Sequence, residues 1–153
     1  MFYLTDCKTQ TILKNQIMIK QYEIKLPRFG RGFHLITGII EKTLADLPEQ
    51  GIVHLFLRHT SAALTINENA DPDVPRDMQY AIDKLVPEND PGYIHTIEGP
   101  DDMPAHMKSS LLSVSLNIPI TNGRMNLGTW QGVYLCEFRN HGGSRKLTAT
   151  IYS

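Results

Sequence analysis

Apolar and polar residues alternate along much of residues 11–26, with Ile12, Leu13, Ile17, Ile19, Tyr22, Ile24 and Leu26 as the apolar members. A period near two predicts one long strand, or the two strands of a hairpin. The segment PRFGRG (27–32) predicts a turn, because Pro and two Gly punctuate it. From residue 33 the period changes. Phe33, Ile36, Ile40, Leu44 and Leu47 recur at three- and four-residue steps, with Glu41, Lys42 and Asp46 on the other side. That spacing predicts an amphipathic helix over 33–47, ended by Pro48. The stretch 51–61, GIVHLFLRHTS, is apolar on both faces: Val53, Leu55 and Leu57 lead to His59 on one, and Ile52 and Phe56 lie on the other. A strand covered on both sides reads this way.

A further short strand is expected at 63–68. Residues 70–87 open on Asp and Pro and step through Met78, Ile82 and Leu85, which predicts a helix. Residues 87–104 are loop by composition, and loops of that length are usually functional or disordered. A second helix begins at DDMPAHMK, with Met107, Leu111 and Val114 as its expected apolar stripe. IPI (118–120), the turn TNG (121–123), VYLCEFRN (133–140) and the alternating RKLTATIYS (145–153) complete a β-rich C-terminal part. No repeat or linker divides the chain. The expectation is one α+β domain over 1–153, an antiparallel β-sandwich-like sheet with a few helices.

At 153 residues the chain can bury roughly two thirds of its unfolded surface without a staple. Lys plus Arg number 15 against 16 Asp plus Glu, with no long run of either sign. A nucleic-acid binder needs a basic face to neutralise phosphates, so that class is set aside. Cys7 and Cys136 belong to no CxxC pair and are read as reduced thiols. The N-terminus lacks a basic segment followed by an apolar one, and no apolar run approaches the roughly 18 residues of a membrane span. A soluble cytoplasmic protein is expected.

Six histidines raise the question of chemistry. His59 ends a buried-looking strand, His95 sits in the long loop, and His106 lies in the first turn of a helix behind Asp101 and Asp102. A helix N-terminus disfavours imidazolium, and neutral imidazole is the form that ligates a metal or accepts a proton. No HExxH or zinc-finger spacing is present, so each of the three can equally be a lone polar residue hydrogen-bonded at a strand end or cap. His34, His54 and His141 are assigned to packing or surface. Glu68, Asp71, Asp73, Glu98, Asp101 and Asp102 lie near the three in sequence; they can orient ligands, bind Mg²⁺, act as bases, or simply cap helices. Glu137 and Arg139 share a strand face, where Arg139 can clamp a phosphate or join a surface ion pair. Trp130, in GTWQ, can stack on a ring or anchor the core. P-loop, GxGxxG and GxSxG motifs are absent.

The strings HTSAALTINENAD (59–71), YIHTIEGPDDMPAHMKSSL (93–111), IPITNGRMNLGTWQGVYLCEFR (118–139) and GGSRKLT (142–148) resemble the YjbQ-like family across roughly the C-terminal two thirds. The resemblance implies an α+β fold, a homotrimer, and weak, secondary thiamine-phosphate synthase activity, which joins a pyrimidine pyrophosphate to a thiazole phosphate. It also implies a site built from these strings. His59, His95 and His106 become the expected ligands of one divalent metal, with zinc favoured by imidazole nitrogen and Mg²⁺ brought in by a pyrophosphate substrate. Asp102, Glu137 and Arg139 become the expected catalytic groups. Thr60, Ser61, Asn67, Lys108, Trp130 and Gln131 become contacts to a small phosphorylated substrate. Two other functions fit the same residues: a metal-assisted hydrolase of a phosphorylated or acylated small molecule, and a non-catalytic trimeric protein that binds a metal or ligand.

Overall fold

The computed structural model describes residues 17–153. Cys7 and the Ile12–Leu13 part of the predicted first strand lie outside the described residues. Eleven elements follow in order among those described: β1 (Ile19–Arg28), β2 (Gly32–Leu35), α1 (Thr37–Thr43), β3 (Gln50–Leu57), β4 (Ala62–Glu68), α2 (Asp73–Leu85), α3 (Asp102–Leu112), β5 (Ser115–Thr121), β6 (Arg124–Met125), β7 (Gln131–Glu137) and β8 (Ser144–Tyr152). The architecture is α+β, with antiparallel pairing throughout.

Two sheets form: β1-β8-β3-β5-β6 and β2-β7-β4. Their facing rows make a single core. Ile24 and Leu26 of β1, Val53, Leu55 and Leu57 of β3, and Leu147, Ala149 and Ile151 of β8 meet Ala62 and Leu64 of β4 and Val133 and Leu135 of β7. Ile36, Ile40 and Leu44, in and around α1, close this core. The other face of the three-stranded sheet carries a smaller cluster of Ala63, Cys136 and Phe138, packed against Ala105 and Leu112 of α3, Ile82 of α2 and Phe33. Burial pushes the Cys136 thiol pKa up, which keeps it an inert core residue. Pro27 sits in β1, at a sheet edge, where a strand tolerates a residue without an N–H.

Four local expectations are corrected. Residues 32–35 are strand rather than helix, because Phe33 and His34 pair with Cys136 and Leu135 of β7; sheet pairing overrides the three-four spacing, and the helix is confined to Thr37–Thr43. β1 runs on through Arg28, so the turn is shorter than 27–32. The predicted stripe of α3 is not its buried face: Met107 and Leu111 are exposed, while Asp102, Ala105, Lys108 and Ser109 are buried. β3 is covered on one side only. Ile52 and Phe56 are 46% and 43% exposed on the outer face, and Ile52 stands in register with Tyr152, which in turn faces Ile19, so an apolar row crosses that sheet in the open. No helix among the described residues is long and apolar enough to cross a membrane.

Candidate functional site

α3 sets the centre of the site. Asp102 and His106 stand four residues apart, one turn of helix, so their side chains share a face. The loop before α3 turns at Gly99, whose φ of +109° favours glycine, and brings His95 back over the same turn. His95 Nε2 lies 2.8 Å from Asp102 Oδ2, and His106 Nε2 lies 3.2 Å from that same oxygen. Glu98 Oε2 is 2.9 Å from His95 Nε2. The two imidazole rings meet edge to face, with centroids 5.6 Å apart.

Arg139 holds the acidic side of the cluster. Its guanidinium pairs with Asp102 Oδ1, donates from Nε to Asp101 Oδ2 at 3.0 Å, and donates from Nη2 to the Glu98 carbonyl at 2.8 Å. The Asn140 N–H also reaches Asp101 Oδ2. Burial raises the Asp101 pKa, but the Asn140 N–H and Arg139 more than offset it, so the carboxylate stays below its ordinary range. With Oδ1 of Asp102 tied to Arg139, Oδ2 is left to face the two imidazoles.

The proton positions make this arrangement informative. His106 Nδ1 lies 3.0 Å from the Thr60 carbonyl, which can only accept, so Nδ1 must carry the hydrogen. In the neutral ring Nε2 is then a bare lone pair, aimed at a carboxylate oxygen 3.2 Å away. Two acceptors at that distance need a cation between them, either a ring proton or a metal ion. His95, Asp102 and His106 offer one ligand atom each within 4.8 Å of one another. Tetrahedral ligands about 2.0–2.1 Å from zinc stand about 3.3 Å apart, close to the two imidazole–carboxylate separations of 2.8 and 3.2 Å. A carbonyl that fixes the tautomer of a ligating histidine is also the usual supporting partner of such a site.

His106 also lines a cleft of about 840 Å³, together with Phe56, Arg58, His59, Thr60 and Ser110. His59 is near but does not join the triad, which corrects the expected three-histidine set. Its Nε2 accepts the Lys146 N–H at 2.9 Å and its Nδ1 faces Arg145 Nη1 at 3.4 Å, so neither nitrogen is free to ligate. Burial, then the charge of Arg145, holds its pKa below the ordinary 6.5.

Several other expected residues stand elsewhere. Lys108 is 1% exposed and donates to Asp83 at 2.5 Å, its Nζ 6.0 Å from the centre of the Phe138 ring, so it is not available to a phosphate. Asp83 also takes Arg31, and these partners outweigh burial to lower its pKa. Glu137 is fully buried and forms a two-bond pair with Arg145, at 2.7 and 2.6 Å; it is neither a surface ion pair nor a base at the triad. Arg139 is taken up by carboxylates, not left for a phosphate. Ser61 Oγ accepts from Arg145 Nη2 at 3.2 Å. Asn67, Trp130 and Gln131 gather at the other end of β7: Asn67 pairs with Gly132 and Glu68 with Gln131, whereas Glu137 pairs with Ala62. Six residue steps along β7 separate Gln131 from Glu137, roughly 20 Å. Trp130 is 64% exposed there and does not anchor the core.

Arg145, paired with Glu137, is a buried charge of this region that motif reading passed over. A signal was present: it shares strand parity with Leu147, Ala149 and Ile151, so alternation alone turns it inward. Gly142 belongs with it, since a Cβ there would sit 2.5 Å from Arg145 Nη2 and Glu137 Oε1.

The comparisons with known proteins agree with this fold. The UPF0047 protein YjbQ of Salmonella typhimurium is 54% identical over 133 residues, covering 86% of this chain and 96% of its own. The UPF0047 protein YugU of Bacillus subtilis is 40% identical over 125 residues, covering 79% and 89%. A crystal structure of an uncharacterised YjbQ/UPF0047 protein from Clostridium acetobutylicum superposes with a TM-score of 0.74 at 38% identity, over 85% of this chain and 98% of that one. Residues 21–153 match the family described as UPF0047 protein YjbQ-like, and the chain belongs to that family.

Proposed function

We propose that this protein is a metal-dependent enzyme of small molecules, with His95, Asp102 and His106 holding one divalent ion, zinc before others, and His106 also lining the 840 Å³ cleft. The observation that carries the reading is that His106 Nε2 faces the Asp102 carboxylate while Nδ1 is committed to the Thr60 carbonyl, an arrangement that calls for a ring proton or a metal ion between them. Two nitrogens and one oxygen are a donor set that suits zinc, and three protein ligands leave a position open. Such an ion supplies Lewis acidity and lowers the pKa of a bound water. Arg139 orients Asp102, the Thr60 carbonyl fixes the tautomer of His106, and Glu98, beside His95, is placed to take a proton.

Hydrolysis of a phosphorylated or acylated small molecule fits this site best. The thiamine-phosphate synthesis implied by family resemblance needs cations for a leaving pyrophosphate. Arg139 and Lys108, the side chains expected to supply them, are both engaged by carboxylates. We further propose the homotrimer, supported by the open apolar row of Ile19, Tyr152 and Ile52 with Phe56 beside it. Light scattering that gave a monomer mass at micromolar concentration would remove it.

The test begins with chelator-stripped protein and elemental analysis after zinc addition. One zinc per chain is expected, lost in His95→Ala and His106→Ala and kept in His59→Ala. The loaded protein is then assayed on phosphomonoesters, on acyl esters, and on the pyrimidine pyrophosphate with thiazole phosphate. No uptake of zinc, nickel or cobalt at micromolar levels would end the metal reading. Turnover confined to the condensation would replace hydrolysis by synthesis.

A further inference from the structure

The surroundings of His59 determine its tautomer. The Lys146 amide can only donate, and it points at Nε2 from 2.9 Å, so Nε2 carries the lone pair and Nδ1 the hydrogen. The other tautomer, or the imidazolium, would set two N–H groups head to head at that distance. But Nδ1–H then faces Arg145 Nη1, 3.4 Å away, and a guanidinium is also only a donor. Two donors converge with no acceptor between them. The side chain of Arg145 is 5% exposed, so Nη1 has little bulk water to turn to. Its Nε and Nη2 are already used by Glu137, and Nη2 also reaches Ser61 Oγ. Since Ser61 accepts there, its own O–H can donate as a third group.

We propose that these donors, Arg145 Nη1, His59 Nδ1 and the Ser61 hydroxyl, form the seat of an oxyanion carried by the substrate, a phosphate or carboxylate. His59 and His106 both line one cleft, so one member of the seat and one member of the metal triad open onto the same space. The inference thus names the substrate class of the site proposed above and rests on that reading for the reacting end; the seat itself needs no metal. It also reassigns anion binding from Arg139 and Lys108, whose charges are spent on carboxylates, to a buried arginine whose fork has one prong left over. Glu137 and Gly142 become positioning residues. The first holds two of the three guanidinium nitrogens, and the second leaves room for the pair to lie flat against the backbone.

The experiment uses metal-free protein and a long-range ¹H–¹⁵N correlation spectrum of the histidine rings, with inorganic phosphate and acetate as probes and chloride as control. The expected result is His59 in the Nδ1–H form, with a saturable shift of Nδ1 on adding phosphate or acetate; whichever saturates lower identifies the anion. A hydrogen bond from an ionic partner accounts for ~10–100-fold in affinity, so His59→Ala should weaken binding by that factor. His59→Asn, which keeps an N–H near the Nδ1 position, should restore part of it. Arg145→Lys keeps the charge but cannot serve Glu137 and the anion together, and should lose binding further; if it fails to fold, the His59 pair and the spectrum still decide. An Nε2–H tautomer, a shift that never saturates, or wild-type affinity in His59→Ala would overturn the proposal. So would binding that appears only with zinc present. Zinc uptake measured on the same variants separates failure of this seat from failure of the metal site.

Discussion

Replacing Asp102 by Asn keeps the shape of the side chain and removes its charge. In the metal-free protein little should be lost. Arg139 retains Asp101 at 3.0 Å and the Glu98 carbonyl at 2.8 Å, and the new amide can donate to an imidazole nitrogen that now faces an acceptor. The cost is about 1 kcal/mol, or about 2–4 °C in Tm for a domain of this size. Metal binding should suffer far more, because supporting residues alone account for about 10–100-fold in affinity and Asp102 is a proposed ligand. With zinc at a hundred times the wild-type Kd, the wild type gains about 2.7 kcal/mol, or about 5–11 °C. If Asp102→Asn binds about a hundredfold more weakly, the same zinc sits at its Kd and gives about 0.4 kcal/mol, or about 1–2 °C. Thermal unfolding of both proteins, stripped and zinc-loaded, reads all four values. A variant that keeps the wild-type zinc shift would refute the placement of Asp102 as a ligand. A stripped variant that melts more than about 10 °C low would instead make its role structural.

Glu137→Gln should cost about 3–5 kcal/mol in urea unfolding, because it strands the charge of Arg145 in a site with 5% exposure; a loss under about 1 kcal/mol would show the pair to be dispensable. Gly142→Ala should cost about 1–3 kcal/mol in the same measurement, since its Cβ meets both members of the pair at 2.5 Å. For His59 the folded pKa is depressed, by burial and then by Arg145, so its contribution is full above the unfolded value of 6.5 and is lost as pH falls toward the folded value. The stability difference between wild type and His59→Asn should therefore change below about pH 6.5 and stay flat above it; a difference constant across that range would contradict the assignment.

The sequence by itself determined the α+β class, the strands at β3, β4, β7 and β8, the two later helices and the family, because alternation, Pro and Gly punctuation and long motif strings are local signals. It also singled out His95, His106 and Asp102, although loop composition and helix-start chemistry could not say that they meet. That was decided by the return of the chain at Gly99 and by Arg139, 37 positions beyond Asp102 in the sequence, which turns the carboxylate toward the imidazoles. The same kind of long-range pairing overruled local spacing elsewhere. Phe33 and His34 carry helical periodicity, yet β7 offers them hydrogen bonds, and a backbone leaving the core unpaired would cost more than propensity can supply. Lys108 looked like a free cation because nothing nearby in sequence marks Asp83 as its partner. His59 looked like a ligand because only the fold shows that the Lys146 amide occupies its lone pair. Strand parity had already turned Arg145 inward, but only the tertiary structure shows which partners it meets there. Residue types and periods are written along the chain, whereas which donor faces which acceptor depends on contacts between positions far apart in it.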